Sequence, residues 1–168
     1  MILSFLENRI QKSIFSMFLF LQIETLSMLK LICKIETPLR NFAINSNVCQ
    51  FNGGCFINTE TLIIELLPNN QNYSNYKNIA IFGKSYSKCE FYDILVFVKR
   101  FVTTVVVPPY IREIAPYAFN ECTYLREVKF SNKSELKIIG DHAFCNSGIA
   151  KIKIPSSVTF IGEKAFCK

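Results

Sequence analysis

Between Val102 and Lys168 the apolar residues return at fixed offsets. Three Ala-Phe pairs, Ala118-Phe119, Ala143-Phe144 and Ala165-Phe166, recur at intervals of 25 and 22 residues. Seven and four residues before each alanine stands an aliphatic pair: Ile111 and Ile114, Leu136 and Ile139, Val158 and Ile161. A strand-like run of constant spacing follows the first two units, Leu125, Val128 and Phe130, then Ile149, Ile152 and Ile154. Val102, Val105 and Val107 make the same run ahead of the first pair. Pro108 and Pro155 close two of these runs, and Gly140 and Gly162 each follow the second aliphatic. A unit this short cannot bury its own apolar stripe, so it must stack on neighbours that carry the same stripe. In Leu125–Phe130, period two turns Val128 and Phe130 inward and Lys129 outward. The pattern therefore predicts parallel strands about 4.8 Å apart on one face of a coiled ribbon. On the other face the Ala-Phe half turns the chain back. Phe119, Phe144 and Phe166 are expected to form an internal aromatic ladder with a small alanine beside each ring. Burying one such ring is worth roughly 1.5–3 kcal/mol.

A period in the low twenties with an L-x-x-L-x-L-like strand is the signature of a leucine-rich-repeat solenoid. The expected fold class is α/β: short parallel strands on one face, short helical or irregular turns on the other, and an inserted β-hairpin. The segment Val158-x-x-Ile161-Gly162-x-x-Ala165-Phe166, with Ile149-x-x-Ile152-x-Ile154-Pro155 before it, resembles the BspA-type leucine-rich repeat of bacterial and protist surface antigens. The resemblance is tight from about Val102 to the end, looser back to about Phe51, and does not reach the first thirty or so residues. It implies a non-enzymatic protein, exposed on a cell surface or secreted, that adheres to host or microbial surfaces.

The preceding chain is less regular. Residues 1–31 form an apolar N-terminal segment in which Ile14–Ile23 is almost wholly apolar, flanked by Arg9, Lys12 and Glu24. The run is half of what a membrane span needs. It has a basic, then apolar order like a signal sequence, but Glu7 intrudes and no small-residue cleavage site follows. We read it as a degenerate repeat or cap, with Leu26, Leu29 and Leu31 at strand spacing and a signal sequence as the competing reading. Residues 32–168 are assigned to the solenoid. Phe51-Asn52-Gly53-Gly54-Cys55-Phe56 has the spacing of Ile161 to Phe166, with Cys55 in place of alanine, and Thr61, Ile64 and Leu66 take strand positions. An insertion at about 68–101 separates this unit from the later ones. Within it Pro68–Asn78 reads as a polar loop, and Ile79–Phe82 with Ile94–Val98 reads as a hairpin.

Composition excludes more chemistry than it suggests. Half of the 168 residues are apolar, enough for a continuous core. A net charge of +6 favours acidic partners slightly but is no nucleic-acid footprint, which needs clustering on one face. The single histidine, His142, precedes Ala143 where the sister units carry Tyr117 and Lys164, so it reads as a solvent-facing slot of the repeat. Its neighbour Asp141 suggests an acid–base pair only superficially, because no nucleophile motif is tied to it. No phosphate-cradling glycine loop or H-E-x-x-H is present. The seven cysteines (Cys33, Cys49, Cys55, Cys89, Cys122, Cys145, Cys167) include no C-x-x-C and no zinc spacing. Cys55 in an alanine position and Cys122, Cys145 and Cys167 just after a phenylalanine read as small apolar fillers, with a disulfide between neighbouring rungs, Cys145 to Cys167 for example, open if their Cα atoms lie within about 7 Å. No cofactor, metal site or enzymatic activity is expected. Two glycosylation triplets, Asn72-Tyr73-Ser74 and Asn132-Lys133-Ser134, are weak support for secretion.

The informative surface is the outward row of the strands. Lys129 and Lys153 share one slot on adjacent rungs with Val106 one rung earlier, Arg126 and Lys151 lie close by, and Thr103 and Thr104 extend the face. Solenoids bind partners on extended surfaces of this kind, so these seven residues are the candidate partner-binding set. The plainer reading is a solvated face that keeps the sheet soluble. The expected function is thus a protein-binding repeat domain, antigen- or adhesin-like by resemblance, whose partner is a protein or cell-surface ligand. Two alternatives stand beside it. One is a cytoplasmic protein-interaction scaffold, favoured by the free-looking thiols and the missing cleavage site. The other is a lipid- or glycan-binding module using the N-terminal apolar run, which leaves membrane association open. The chain stops at Cys167-Lys168 inside a unit, without the polar cap of terminal repeats, which points to a truncated product or to further rungs.

Overall fold

Short β-rich runs, rather than helices, carry the fold. The computed structural model describes residues 21–23, 41–44, 54, 63–66 and 70–168. Strands β1 (Leu21–Ile23), β2 (Asn41–Ile44) and β3 (Ile63–Leu66) form a parallel sheet in that order. β1 is the end of the apolar run Ile14–Ile23, and β3 holds the strand positions Ile64 and Leu66. The rest of the 51–56 unit, Phe51, Cys55 and Phe56 included, lies outside the described residues, as do Thr61 and most of residues 1–31.

Next come β4 (Tyr73–Tyr76), β5 (Ala80–Gly83) and β6 (Ile94–Val98), an antiparallel meander. The expected hairpin is the β5–β6 pair. The expected loop over Pro68–Asn78 needs correction, because β4 occupies part of it. The Asn-Tyr stretch that looked like loop composition is a strand paired antiparallel with β5. Tyr73 is buried, and Tyr76 stacks on Phe82 at 4.6 Å. Left-handed φ at Lys77 and Asn78 makes the β4–β5 turn, and the Asn75 side chain accepts the Asn78 N–H. β6, Ile-Leu-Val-Phe-Val, is buried along nearly its whole length, the pattern of a central strand covered on both faces. It pairs antiparallel with β5 and parallel with β8 (Glu113–Ile114), and so joins the meander to the repeats.

The repeats then run along two parallel ladders. β7 (Thr104–Val107) pairs with β9 (Glu127–Phe130), setting Val105 beside Val128 and Val107 beside Phe130. The inward alternation is as predicted, with Val105, Val107 and Val128 buried and Phe130 half-buried. The third run is not a strand. Ile149 is buried and Ile152 and Ile154 half-buried, so the inward positions keep their sense without a ladder to β9. Lys153 falls in the Lys129 slot there, and like charges side by side on adjacent strands disfavour close pairing. On the far side β8, β10 (Ile138–Ile139) and β11 (Phe160–Ile161) stack in register, extending the mixed sheet to the order β4-β5-β6-β8-β10-β11.

The Ala-Phe half is irregular turn, the second of the two forms expected there. Its N–H groups alternate in destination. Those of Ala118, Asn120 and Cys122 close turns onto Ala115, Tyr117 and Phe119, while those of Tyr117, Phe119 and Glu121 reach Asp141, Ala143 and Cys145 on the next rung. The following rung repeats this, with His142, Phe144 and Asn146 donating to Glu163, Ala165 and Cys167. Left-handed φ at Tyr117, Glu121, His142, Asn146 and Lys164 breaks each would-be helix after one turn. Every second donor is thereby freed for the neighbouring rung.

Inside these turns the three rings stack. Phe119 and Phe144 lie 4.5 Å apart at 13°, and Phe144 and Phe166 lie 5.1 Å apart at 4°. Phe119 is 0% exposed, Phe144 1% and the last ring, Phe166, 36%. β6 closes the other end. The Ala118 carbonyl, which faces away from the next rung, accepts from Val98 N at 3.0 Å and from Arg100 Nη1 at 3.2 Å. The buried Arg100 guanidinium lies 4.7 Å from the Phe97 ring centre. Burial lowers its pKa, an effect opposed by the adjacent Cys122.

Two predictions follow from the rung contacts. Phe144→Ala is expected to cost about 3–5 kcal/mol in urea unfolding, and Phe166→Ala clearly less because its ring is partly in solvent; equal losses would refute the ladder as the core. Gly140→Ala would press its Cβ to 2.6 Å from the backbone nitrogen of Pro116 on the rung before, and is expected to cost about 1–3 kcal/mol by overpacking, read as a lowered Tm.

Candidate functional site

The outward side of β7 and β9 is built by alternation alone. With Val105, Val107 and Val128 committed to the core, the intervening side chains face solvent, and register sets Thr104 beside Glu127 and Val106 beside Lys129. Thr103, Thr104, Val106, Arg126, Lys129, Lys151 and Lys153 are all exposed. The Thr103 carbonyl accepts from Arg126 N at 2.8 Å and from Glu127 N at 3.2 Å, which ties the start of β9 to β7. Lys151 and Lys153 lie on the third run, outside the hydrogen-bonded ladder. Sequence reading passed over Glu127, whose carboxylate lies 3.2 Å from Lys129 Nζ. It occupies an outward slot of the same alternation, so the signal was present. A surface pair of this kind contributes about 0–1 kcal/mol, so Lys129 stays available to another carboxylate.

The β8–β10–β11 side carries a second row that sequence reading missed. Register aligns Glu113, Ile138 and Phe160, and the latter two leave apolar surface exposed. Arg112 and Glu135 bridge adjacent rungs at 3.2 Å. Burial raises the Glu113 pKa, and the charge of Asp93 raises it further. Asp93 is itself buried and accepts from Ser85 N at 2.9 Å and from Ser85 Oγ at 2.8 Å.

His142 does not form an acid–base pair with Asp141. Asp141 Oδ1 accepts the Glu163 N–H of the next rung at 2.8 Å. The His142 ring is half-buried rather than freely solvent-facing, and stacks on Tyr117 at 5.0 Å and 3°. The slot is thus an outer stack parallel to the phenylalanine ladder. Beside it Cys145 and Cys167 are joined in a disulfide, their Cα atoms 4.5 Å apart. Cys167 Sγ lies 3.9 Å from His142 Nδ1. Cys89 and Cys122 are free and buried. Burial raises the Cys122 pKa against the opposing influence of Arg100, the setting of an inert structural thiol. Cys33, Cys49 and Cys55 lie outside the described residues.

The cavity lined by Asn75, Asn78, Ala80, Ile81, Phe97 and Lys99 measures about 10 Å³, room for one water and no substrate. Among the described residues no helix is long and apolar enough to cross a membrane.

Comparison with known proteins agrees with this geometry. Residues 95–168 match the BspA type leucine rich repeat region, in six copies. The crystal structure of a leucine-rich repeat protein from Eubacterium ventriosum is similar, with a TM-score of 0.59 and 24% identity, over 73% of this chain and 32% of that one. At that identity the likeness speaks to the fold, and this chain spans about a third of that protein's length. No curated protein matches the sequence.

The Glu113 environment yields a pH prediction. A carboxyl whose pKa is raised by folding favours the native state while protonated, and that advantage is lost as pH rises through the folded pKa. Glu113→Gln is therefore expected to raise Tm slightly at pH 7. The gap should close as pH falls below the ordinary glutamate range near 4.3, and a gap that widens on acidification would contradict the burial argument.

Proposed function

We propose, on the premise that residues 95–168 are BspA-type leucine-rich repeats, that the chain is a non-enzymatic protein-binding module of adhesin or surface-antigen type. Its contact face would be the outward row Thr103, Thr104, Val106, Arg126, Lys129, Lys151 and Lys153. The observation that carries this reading is the exposure of that whole row over a core of apolar side chains from the repeats and the adjoining β5 and β6. Four of the seven side chains are cationic against a single paired acid, Glu127, so the favoured partner is a protein surface rich in Asp and Glu. Charge complementarity of this kind governs encounter rate and specificity, and salt screens it. The location rests on less. The Cys145–Cys167 disulfide suits an oxidising compartment better than the cytosol, in keeping with the surface placement common among such repeats.

The test is a binding assay of the purified chain on intact cell monolayers. Lys129→Glu with Lys151→Glu and Lys153→Glu is expected to weaken binding at least about 10-fold, equivalent to about 1.4 kcal/mol. Lys88→Glu, an exposed change elsewhere, should leave binding unaltered. Equal binding by the triple variant removes this face from the function. Labelling of the native protein only after cells are permeabilised removes the surface location.

A further inference from the structure

We propose that His142, Cys145 and Cys167 form a redox-gated site for a thiophilic divalent metal ion. It is closed while the two sulfurs are bonded and becomes a two-thiolate, one-imidazole chelate once a thiol reductant opens the bond. One donor atom from each residue lies within 4.8 Å of the other two. A tetrahedral zinc site with Zn–S of about 2.3 Å and Zn–N of about 2.0–2.1 Å requires S to N separations of about 3.6 Å and S to S of about 3.8 Å. Cys167 Sγ to His142 Nδ1 is already 3.9 Å. The two sulfurs have to part, by rotation about their own side-chain bonds, and Cys145 Sγ starts within 4.8 Å of a His142 ring nitrogen.

The backbone holds the three donors together whatever the state of the sulfurs. His142 and Cys145 sit across one turn, closed by Cys145 N–H donating to the His142 carbonyl at 3.1 Å. Left-handed φ of 53° at His142 and 54° at Asn146 fixes that turn. The two-residue gap between ligands is the local chelate spacing of structural metal sites. Cys167 is brought in from the next rung, where its carbonyl accepts the Asn146 N–H at 2.8 Å. Stacking on Tyr117 fixes the imidazole plane. His142 and Cys167 are half-buried and Cys145 is buried, which leaves one side open for entry and for a fourth ligand from solvent. The repeat itself does not demand this trio. The sister units carry Tyr117 and Lys164 in the histidine slot, and the first unit carries Asn120 where the other two carry Cys145 and Cys167.

The chemistry balances. Two equivalents of a small-molecule thiol reduce the disulfide, supplying two electrons and two protons, and leave as their own disulfide. The two cysteine thiols then give up two protons as M2+ binds, so the chelate with neutral imidazole carries no net charge.

The test uses the full chain, reduced, freed of reductant and titrated with Cd2+ while thiolate-to-metal charge-transfer absorption is followed. Two variants borrow residues that the same fold carries in sister units, Cys145→Asn and His142→Lys. The reduced wild type is expected to bind one Cd2+ more than reduced C145N. His142→Lys should weaken that site by at least about 10-fold, the loss that removing a mere outer-shell partner already causes. The oxidised wild type should lack the site, and peptide mapping should find Cys145 joined to Cys167. Equal uptake and affinity in the reduced wild type and both variants would assign all binding to the other cysteines and overturn the proposal. So would binding by the oxidised chain as tight as by the reduced one.

Discussion

Everything in the repeat half depends on a division of labour among backbone N–H groups. In the turns around Phe119 and Phe144 the donors alternate, one closing its own turn and the next reaching the rung beyond. A helix would spend all of them within the rung. A plain strand would spend them between strands and leave no turn to reverse the chain. The left-handed residues at Tyr117, His142 and Lys164 hold the compromise. A non-glycine residue there carries strain of order 1–3 kcal/mol. What offsets it is the stack of Phe119, Phe144 and Phe166, which is formed only when successive turns lie in register. Hydrogen bonding and ring burial therefore reinforce one another. The glycines after the second aliphatic belong to the same constraint, since Gly140 passes too close to the rung before it for any side chain.

A core built this way leaves its surface unconstrained. Alternation commits every second strand residue inward, and the remainder are free to carry whatever a partner requires. That freedom explains how Val106 and Lys129 can sit side by side in equivalent positions with unlike chemistry. The exposed row on β7 and β9 is an outcome of period two acting on stacked strands.

The edge formed by Tyr117, His142 and Cys167 shows the same logic on the turn side. Slots one residue before the alanine stack outside the core much as the phenylalanines stack inside it, so unlike residues from adjacent rungs become neighbours. Rung spacing brings Cys145 and Cys167 within bonding reach without either being chosen for local sequence reasons.

The repeat, its inward positions and the aromatic ladder were legible from residue order, because offsets of seven, four and one from each alanine describe a local geometry that any copy must adopt. The exposed row was legible for the same reason, since alternation needs no knowledge of neighbours. Three things were not. Tyr73–Tyr76 became a strand because β5 offered it a partner, and an Asn-rich stretch says nothing about partners. The third run lost its ladder although its spacing matches the first two, because pairing depends on what lies alongside. The meeting of Cys167 with His142 and Cys145 required the rungs to be stacked. Intervals along the chain set which way each side chain faces within a rung; only the stacked structure decides which residues, more than twenty positions apart, end up a few ångströms from one another.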